Sequence, residues 1–237
     1  MPASSKAKKQ KSPELFPEQP LDLLEVEHAA LRSGVSHVAG VDEAGRGPLA
    51  GPVVAATVNF PAHLLWKIPP THAALNETKN MRPKKPDRNK DALQNLPDLR
   101  IGVAVLQADE IDRLNILRAT HRAMAQALQT LDPLPELALV DGLPVPGLPC
   151  TNRNIVRGDA RCLTIAAASI IAKVTRDRLM QALDQQYPVY GFARHKGYGT
   201  RLHLEALQNH GPCPAHRRSF APVRNCETAA GALPGHE

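Results

Sequence analysis

The sequence predicts an α/β protein, a mixed sheet with helices against its faces. Three apolar runs rich in β-branched residues, "HVAGVDE", "VVAATVNF" and "IGVAVLQ", come early and are separated by glycine and proline. After Asp109 the apolar spacing changes to a helical period, and a further strand-like run, "LALVDG", then precedes a long helical segment. Early strands followed by alternating helix and strand are the pattern of a mixed sheet.

Each element has its own signal. Residues 1–21 are rich in Lys, Ser, Pro and Glu without periodicity and read as a disordered basic tail. "LDLLEVEHAALRSG" reads as a helix ended by Gly34, and the three strands follow. Between the second and third lies a basic, proline-interrupted stretch, "KNMRPKKPDRNK". "IDRLNILRATHRAMAQALQTL" reads as one helix on which Ile111, Leu114, Leu117, Met124, Ala125 and Leu128 share a face. "LALVDG" leaves Asp141 at the carboxyl end of a strand, and a loop with prolines leads on to "RGDARC". The long helix "LTIAAASIIAKVTRDRLMQALDQQY" stops at Pro188 and Gly191, and its Ala166, Ala167 and Ala168 suit close packing on a sheet. "LHLEALQNHG" is a last helix with Gly211 just past its end. One domain over residues 22–224 is predicted, its final part helical, followed by a flexible C-terminus at 225–237.

Composition narrows the class. A chain of 237 residues can bury a real core as one domain with appendages. With 43% apolar but only 3% aromatic residues, that core is mostly Leu, Val, Ile and Ala. No apolar run reaches the roughly 18 residues of a membrane helix. The lysine-rich start has no apolar segment behind it, so it is not a secretory signal and a cytoplasmic protein is expected. Cys150, Cys162, Cys213 and Cys226 form no C-x-x-C pair and read as free thiols. "CPAH" brings Cys213 near His216, but zinc takes about four ligands and no second pair is in view.

The formal charge of +6 overstates any general affinity for nucleic acid, because Lys6, Lys8, Lys9 and Lys11 in the tail have no acid among them. Clustering is more informative than the sum. Lys79, Arg82, Lys84, Lys85, Arg88 and Lys90 face Asp87 alone, and "GFARHKGYGTR" forms a further basic group. Each is either a solvated loop or a phosphate contact.

The chemistry concentrates in "GVDEAGRGPLAGP", where Asp42 and Glu43 stand directly before Gly45, Arg46, Gly47 and Pro48. Neighbours on a regular strand point to opposite faces, so the strand is expected to end at the glycines, where Glu43 can turn toward the rim that Asp42 occupies. Asp141 lies where open α/β sheets place their sites, outside the carboxyl end of a strand. Asp159 in "RGDAR" is the fourth acid, its alternative role being a helix N-cap. Asp177 competes for that place. If residues 159 to 177 formed one helix the two acids would lie about 27 Å apart, and Asp177 sits between Arg176 and Arg178 with Lys173 one turn back, so it is held in reserve. Such acids without a Cys or paired His suit a hard cation, Mg²⁺ or Mn²⁺. Two such ions can activate water and stabilise the leaving oxygen of a phosphoryl displacement. The residues therefore point to a phosphodiester endonuclease without a covalent intermediate.

"VAGVDEAGRGPLAGPVV", "IDRLNILRATHRAM", "ALVDG", "VRGDARCLTIAAASIIAKVTRDRLM", "HKGYGT" and "HRRSF", in order over about residues 35–222, resemble bacterial ribonuclease HII, the type 2 ribonuclease H. The resemblance implies a ribonuclease H-like fold with a helical C-terminal part. It implies a monomeric enzyme that cuts the RNA strand of RNA–DNA hybrids, and cuts 5′ of single ribonucleotides in duplex DNA, leaving 3′-hydroxyl and 5′-phosphate ends. It makes Asp42, Glu43, Asp141 and Asp159 the catalytic, metal-holding acids. Gly45, Arg46 and Gly47 become the loop that senses the ribose 2′-hydroxyl, with Tyr198 against the same sugar. Lys79 in "ETKNM" falls where the family has a lysine near the substrate backbone, although the pattern around it has eroded.

The residues themselves agree with that assignment. Telling RNA from DNA means sensing the 2′-hydroxyl, and glycines let backbone come close enough to do so. Tyr198 has a flat face and a hydroxyl suited to a sugar. The tail is expected to add weak, nonspecific attraction to phosphates, or to contact a partner protein. Type 3 ribonuclease H is the near alternative, with a different loop and an added N-terminal domain. A hybrid-binding module without catalysis, and a DNA nuclease of transposase or resolvase type, are the readings from other classes.

Overall fold

The computed structural model describes residues 22–67, 90–91 and 93–230. Lys79, most of the basic stretch around it and the tail of residues 1–21 lie outside them. Helix α1 (Glu25–Arg32) ends where Gly34 takes a φ of 94°. Strands β1 (Val38–Ala44) and β2 (Val53–Asn59) then pair antiparallel, with Asp42 opposite Ala56 and Glu43 opposite Ala55. After α2 (Ala62–Lys67), strand β3 (Arg100–Leu106) adds antiparallel to β2. Helices α3 (Ala108–Leu114) and α4 (Ile116–Gln129) lead to β4 (Leu137–Asp141), which lies parallel to β1 on its other side. Strand β5 (Thr151–Ile155) completes a mixed sheet of order β3-β2-β1-β4-β5. A 3₁₀ turn (Gly158–Ala160) precedes the long helix α5 (Leu163–Gln186). A second turn (Pro188–Tyr190) and helices α6 (Phe192–His195), α7 (Arg201–His210) and α8 (Ala221–Ala230) form the C-terminal part.

Alternation along β1 divides the core between the two faces of the sheet. Ala39 and Val41 pack with Val53, Ala55 and the α4 residues Ala119, Ala123, Met124, Ala127 and Leu128. On the other face Ala56 and Val58 meet Leu163, Ala167, Ala168, Ile171 and Ala172 of α5. The alanines let α5 approach closely, and Gly40 completes the fit, because a Cβ there would lie 2.0 Å from the Thr164 carbonyl carbon. Glu27 fixes the helix start: its Oε1 accepts from the Thr164 backbone N–H and hydroxyl, each at 3.0 Å.

Three expectations need correction. The segment after Asp109 is two helices, because Asn115 takes a φ of 64° and its side chain accepts from the Arg118 N–H to cap α4. The break rotates Leu117 out of the shared face, leaving it 50% exposed. Strand β5 lies in what reads as loop; "TNRNI" is polar because it is an edge strand with mostly exposed side chains. The C-terminus stays helical to Ala230, past Asn225, where Val223 is buried and the Cys226 thiol donates to the Leu207 carbonyl.

Candidate active site

The paired strands β1 and β4 carry Asp42 and Asp141 to neighbouring places at their carboxyl ends, one residue beyond the Val41–Val140 pairing. Asp42 is 6% exposed, accepts from the Glu43 N–H at 2.7 Å and takes a hydrogen bond from Ser169 of α5. Burial pushes its carboxyl up to about 7, with the Glu43 and Asp141 charges adding to the rise. Burial likewise raises Glu43, against the opposing effect of Arg46, whose Nη1 stands 3.2 Å from Oε1. Asp141 accepts from the Gly158 N–H at 2.6 Å. That bond ties β4 to the turn bearing Asp159, which is exposed; Cys162, not Asp159, stands at the N-cap of α5.

The ladder of β1 runs regularly through Ala44 and stops at Gly45, whose φ is 97°. Asp42 therefore faces α5, where Ser169 reaches it, and Glu43, one residue on, lies at the strand's rim. A pocket of about 350 Å³ opens there, lined by Glu43, Gly45, Arg46, Gly47, Ser169 and Tyr198 among others. Lys173 and Asp177 line it too, paired with each other at 3.4 Å, so Asp177 is both an ion-pair partner and a wall of the pocket. Tyr198 is 51% exposed, and a Cβ on Gly47 would lie 3.6 Å from its ring.

Two buried arginines hold the glycine loop. Arg176 donates from Nε to the Pro52 carbonyl and from Nη2 to the Ala50 carbonyl, at 2.9 and 3.1 Å. It also fills the space a side chain at Gly45 would need. Arg217 donates to the carbonyls of Gly51, Arg46 and Gly45 at 3.0, 3.0 and 2.6 Å. Burial, followed by the Arg176 charge, pushes Arg217 down to about 9. Sequence reasoning missed the roles of Ser169, Arg176 and Arg217. No sequence signal marks the two arginines, because Arg176 lies among charges in "KVTRDR" and Arg217 in the proline-rich "PCPAHRRSFAP", and no spacing rule says that they reach Gly45.

The donor set suits a divalent ion. It offers only oxygen, and burial raises the carboxyls of Asp42 and Glu43 with neighbouring acids adding to the rise, a cost that a bound cation would offset. Among the described residues no three acidic, His or Cys side chains are grouped to enclose an ion unaided. This suits Mg²⁺-type binding, in which one or two carboxylates share the ion with water and substrate phosphate. The residues fit. Cys213 and His216 do lie together, with Sγ 3.2 Å from Nδ1, and all four cysteines are free thiols.

Known proteins similar to this chain are nucleases, and the chain is an enzyme of that hydrolase class. The profile of the family "Ribonuclease HII" matches residues 39–223, and the chain belongs to that family. It is 49% identical to "Ribonuclease HII" of Chlamydia caviae over 192 residues, 81% of this chain and 87% of the relative. It is 47% identical to "Ribonuclease HII" of Geobacillus kaustophilus over 212 residues, 90% of this chain and 78% of the relative. Among solved structures, the ribonuclease H2 of Pyrococcus horikoshii matches with a TM-score of 0.69 at 27% identity, covering 83% of this chain and all of the other. No helix among the described residues is long and apolar enough to cross a membrane.

Proposed function

We propose that this chain is a divalent-metal-dependent endoribonuclease that cuts the RNA strand of RNA–DNA hybrids, and cuts 5′ of a single ribonucleotide in duplex DNA. The observation that carries the reading is the pocket between Glu43, the Gly45–Gly47 loop and Tyr198, opening beside buried Asp42. Asp42, Glu43, Asp141 and Asp159 would hold Mg²⁺ or Mn²⁺, which when bound supplies activation of water and stabilisation of the leaving oxygen. Asp42 is kept in place by Ser169 and by the Glu43 N–H, and Asp141 by the Gly158 N–H. Arg46, which pairs with Glu43 at 3.2 Å and is half exposed, would be placed to meet a phosphate if a cation took over its role at Glu43. Gly45 and Gly47 bring backbone to the 2′-hydroxyl, and Tyr198 covers the sugar; a deoxyribose forfeits those bonds. Chemistry of this kind leaves a 3′-hydroxyl and a 5′-phosphate. Lys79 and the tail are proposed to touch the duplex backbone or a replication or repair protein, and the chain to act as a cytoplasmic monomer.

The test is a DNA duplex holding one ribonucleotide, with Mg²⁺ or Mn²⁺. The intact protein cuts it once, 5′ of the ribonucleotide, and leaves an all-DNA duplex whole. Absence of cleavage, or cleavage at full rate by Asp42→Asn, rejects the reading.

A further inference from the structure

A buried chain of polar groups runs behind Tyr198. His203 and His216 are 0% and 2% exposed, and their Nε2 atoms lie 3.0 Å apart. The Cys213 backbone N–H points at His216 Nδ1 from 3.0 Å, and the Cys213 Sγ lies 3.2 Å from the same nitrogen. His203 Nδ1 lies 2.9 Å from the Tyr198 carbonyl.

The direction of every bond in this chain is determined. A backbone N–H can only donate, so His216 Nδ1 accepts and carries no proton in the neutral ring; its proton is on Nε2. His203 Nε2 must then accept, which places the His203 proton on Nδ1. From there it donates to the Tyr198 carbonyl at 2.9 Å. Burial holds His216 down at about 4 and lowers His203 as well, so both rings are neutral at pH 7. His195 stacks on His203 with ring centroids 4.5 Å apart and is oriented by the Gly197 N–H and the Tyr190 carbonyl.

The same segment holds the facing wall. Arg217 follows His216 directly and reaches the carbonyls of Gly45 and Arg46. Leu49 binds both sides, its N–H on the Gly197 carbonyl and its own carbonyl taking the Arg217 N–H, at 2.8 and 2.9 Å. Consecutive residues thus fasten the tyrosine side and the glycine side of one pocket.

We propose that His203 is a positioning residue for Tyr198: its Nδ1–H, oriented by His216, fixes the tyrosine's carbonyl and thereby the place of its ring opposite the glycine loop. The inference rests on the reading of Tyr198 as the ribose contact. Lys196 and Gly197 before it have φ of 52° and 81°, and a side chain on Gly197 would meet the Ala50 carbonyl. The ring is therefore aimed from a turn of fixed shape, with His203 holding its far side.

Two measurements test this. Long-range ¹H–¹⁵N spectra of the full chain labelled at histidine read the tautomers at pH 7. A proton on Nδ1 of His203 and on Nε2 of His216 is expected; the opposite tautomer at His203, or an imidazolium there, overturns the proposal. The second is a double-mutant cycle on the single-ribonucleotide duplex. His203→Ala lowers kcat roughly 10- to 100-fold with KM little changed, as a displaced contact does. In a Tyr198→Ala background the same change costs less than about twofold, because the group it positions is gone. His203→Asn, whose amide can donate from the Nδ1 position, recovers most of the rate. If alanine prevents folding, His203→Gln, which cannot donate there, replaces it in the cycle. Equal losses in both backgrounds overturn the positioning role while leaving the ribose reading intact. Full activity in Tyr198→Ala overturns the ribose reading and this inference with it.

Discussion

Arg217 donates from Nη2 to the Gly45 carbonyl at 2.6 Å, a bond that joins the C-terminal helical part to the first turn after the paired acids. The guanidinium also serves Arg46 and Gly51, and it has no exposed surface. Arg217→Met is expected to leave these carbonyls buried without donors, at roughly 1–3 kcal/mol for each one that stays unpaired. Thermal unfolding should show a loss of several degrees, and single-ribonucleotide cleavage should fall with it. Unchanged melting would show that the loop holds its own shape.

On the proposed reading, in which Asp42 helps hold the metal, metal binding is pH-dependent. A carboxyl raised from 3.8 to about 7 by burial is protonated over much of the acid range, and only its charged form binds a cation. Mn²⁺ affinity, read by calorimetry, should rise with pH and level off above about 7. Asp42→Asn should flatten that rise. The same group favours the metal-free fold while protonated, so its contribution to stability is present below 3.8 and is lost as pH climbs to about 7.

Glu27 gives a second pH-linked effect away from the site. Burial raises its carboxyl, and Oε2 has no partner although Oε1 binds the start of α5. Its contribution to stability is therefore fullest at low pH and declines as pH rises above 4.5. Melting temperatures at pH 5 and pH 8 should differ less in Glu27→Gln than in the parent. Glu27→Ala should lose about 1 kcal/mol at pH 5, the usual cost of a lost helix cap, and less at pH 8, where the charged carboxyl already weakens the fold.

Gly40→Ala tests the docking of α5. A methyl group 2.0 Å from the Thr164 backbone cannot be relieved by a side-chain rotation, so helix and sheet must separate. Overpacking of this kind costs about 1–3 kcal/mol, and here it also displaces Ser169 from Asp42. Chemical denaturation and Mn²⁺ titration should both register it; a normal midpoint would contradict the close approach.

Much of this was legible beforehand, for local reasons. β1, β2, β3 and β4 announce themselves because buried strands are continuous apolar runs, and Asp42 and Asp141 interrupt such runs at their ends. β5 is polar because it is an edge, so no apolar signal marks it. The helix break at Asn115 depends on one residue's positive φ, which composition does not specify. Arg176, His203 and Arg217 resemble surface residues in sequence, and only the fold shows that each turns inward to backbone carbonyls. Lys79 falls outside the described residues, so its proposed duplex contact stands on the resemblance alone.

Anomalous diffraction from crystals grown with Mn²⁺ and a duplex carrying one uncleavable ribonucleotide would locate the metal directly. Metal peaks about 3.5–4 Å apart are expected, bounded by Asp42, Glu43, Asp141 and Asp159, with the ribose against Gly45–Gly47 and Tyr198. Metal bound elsewhere, with these acids uncoordinated and the sugar away from Tyr198, would contradict it.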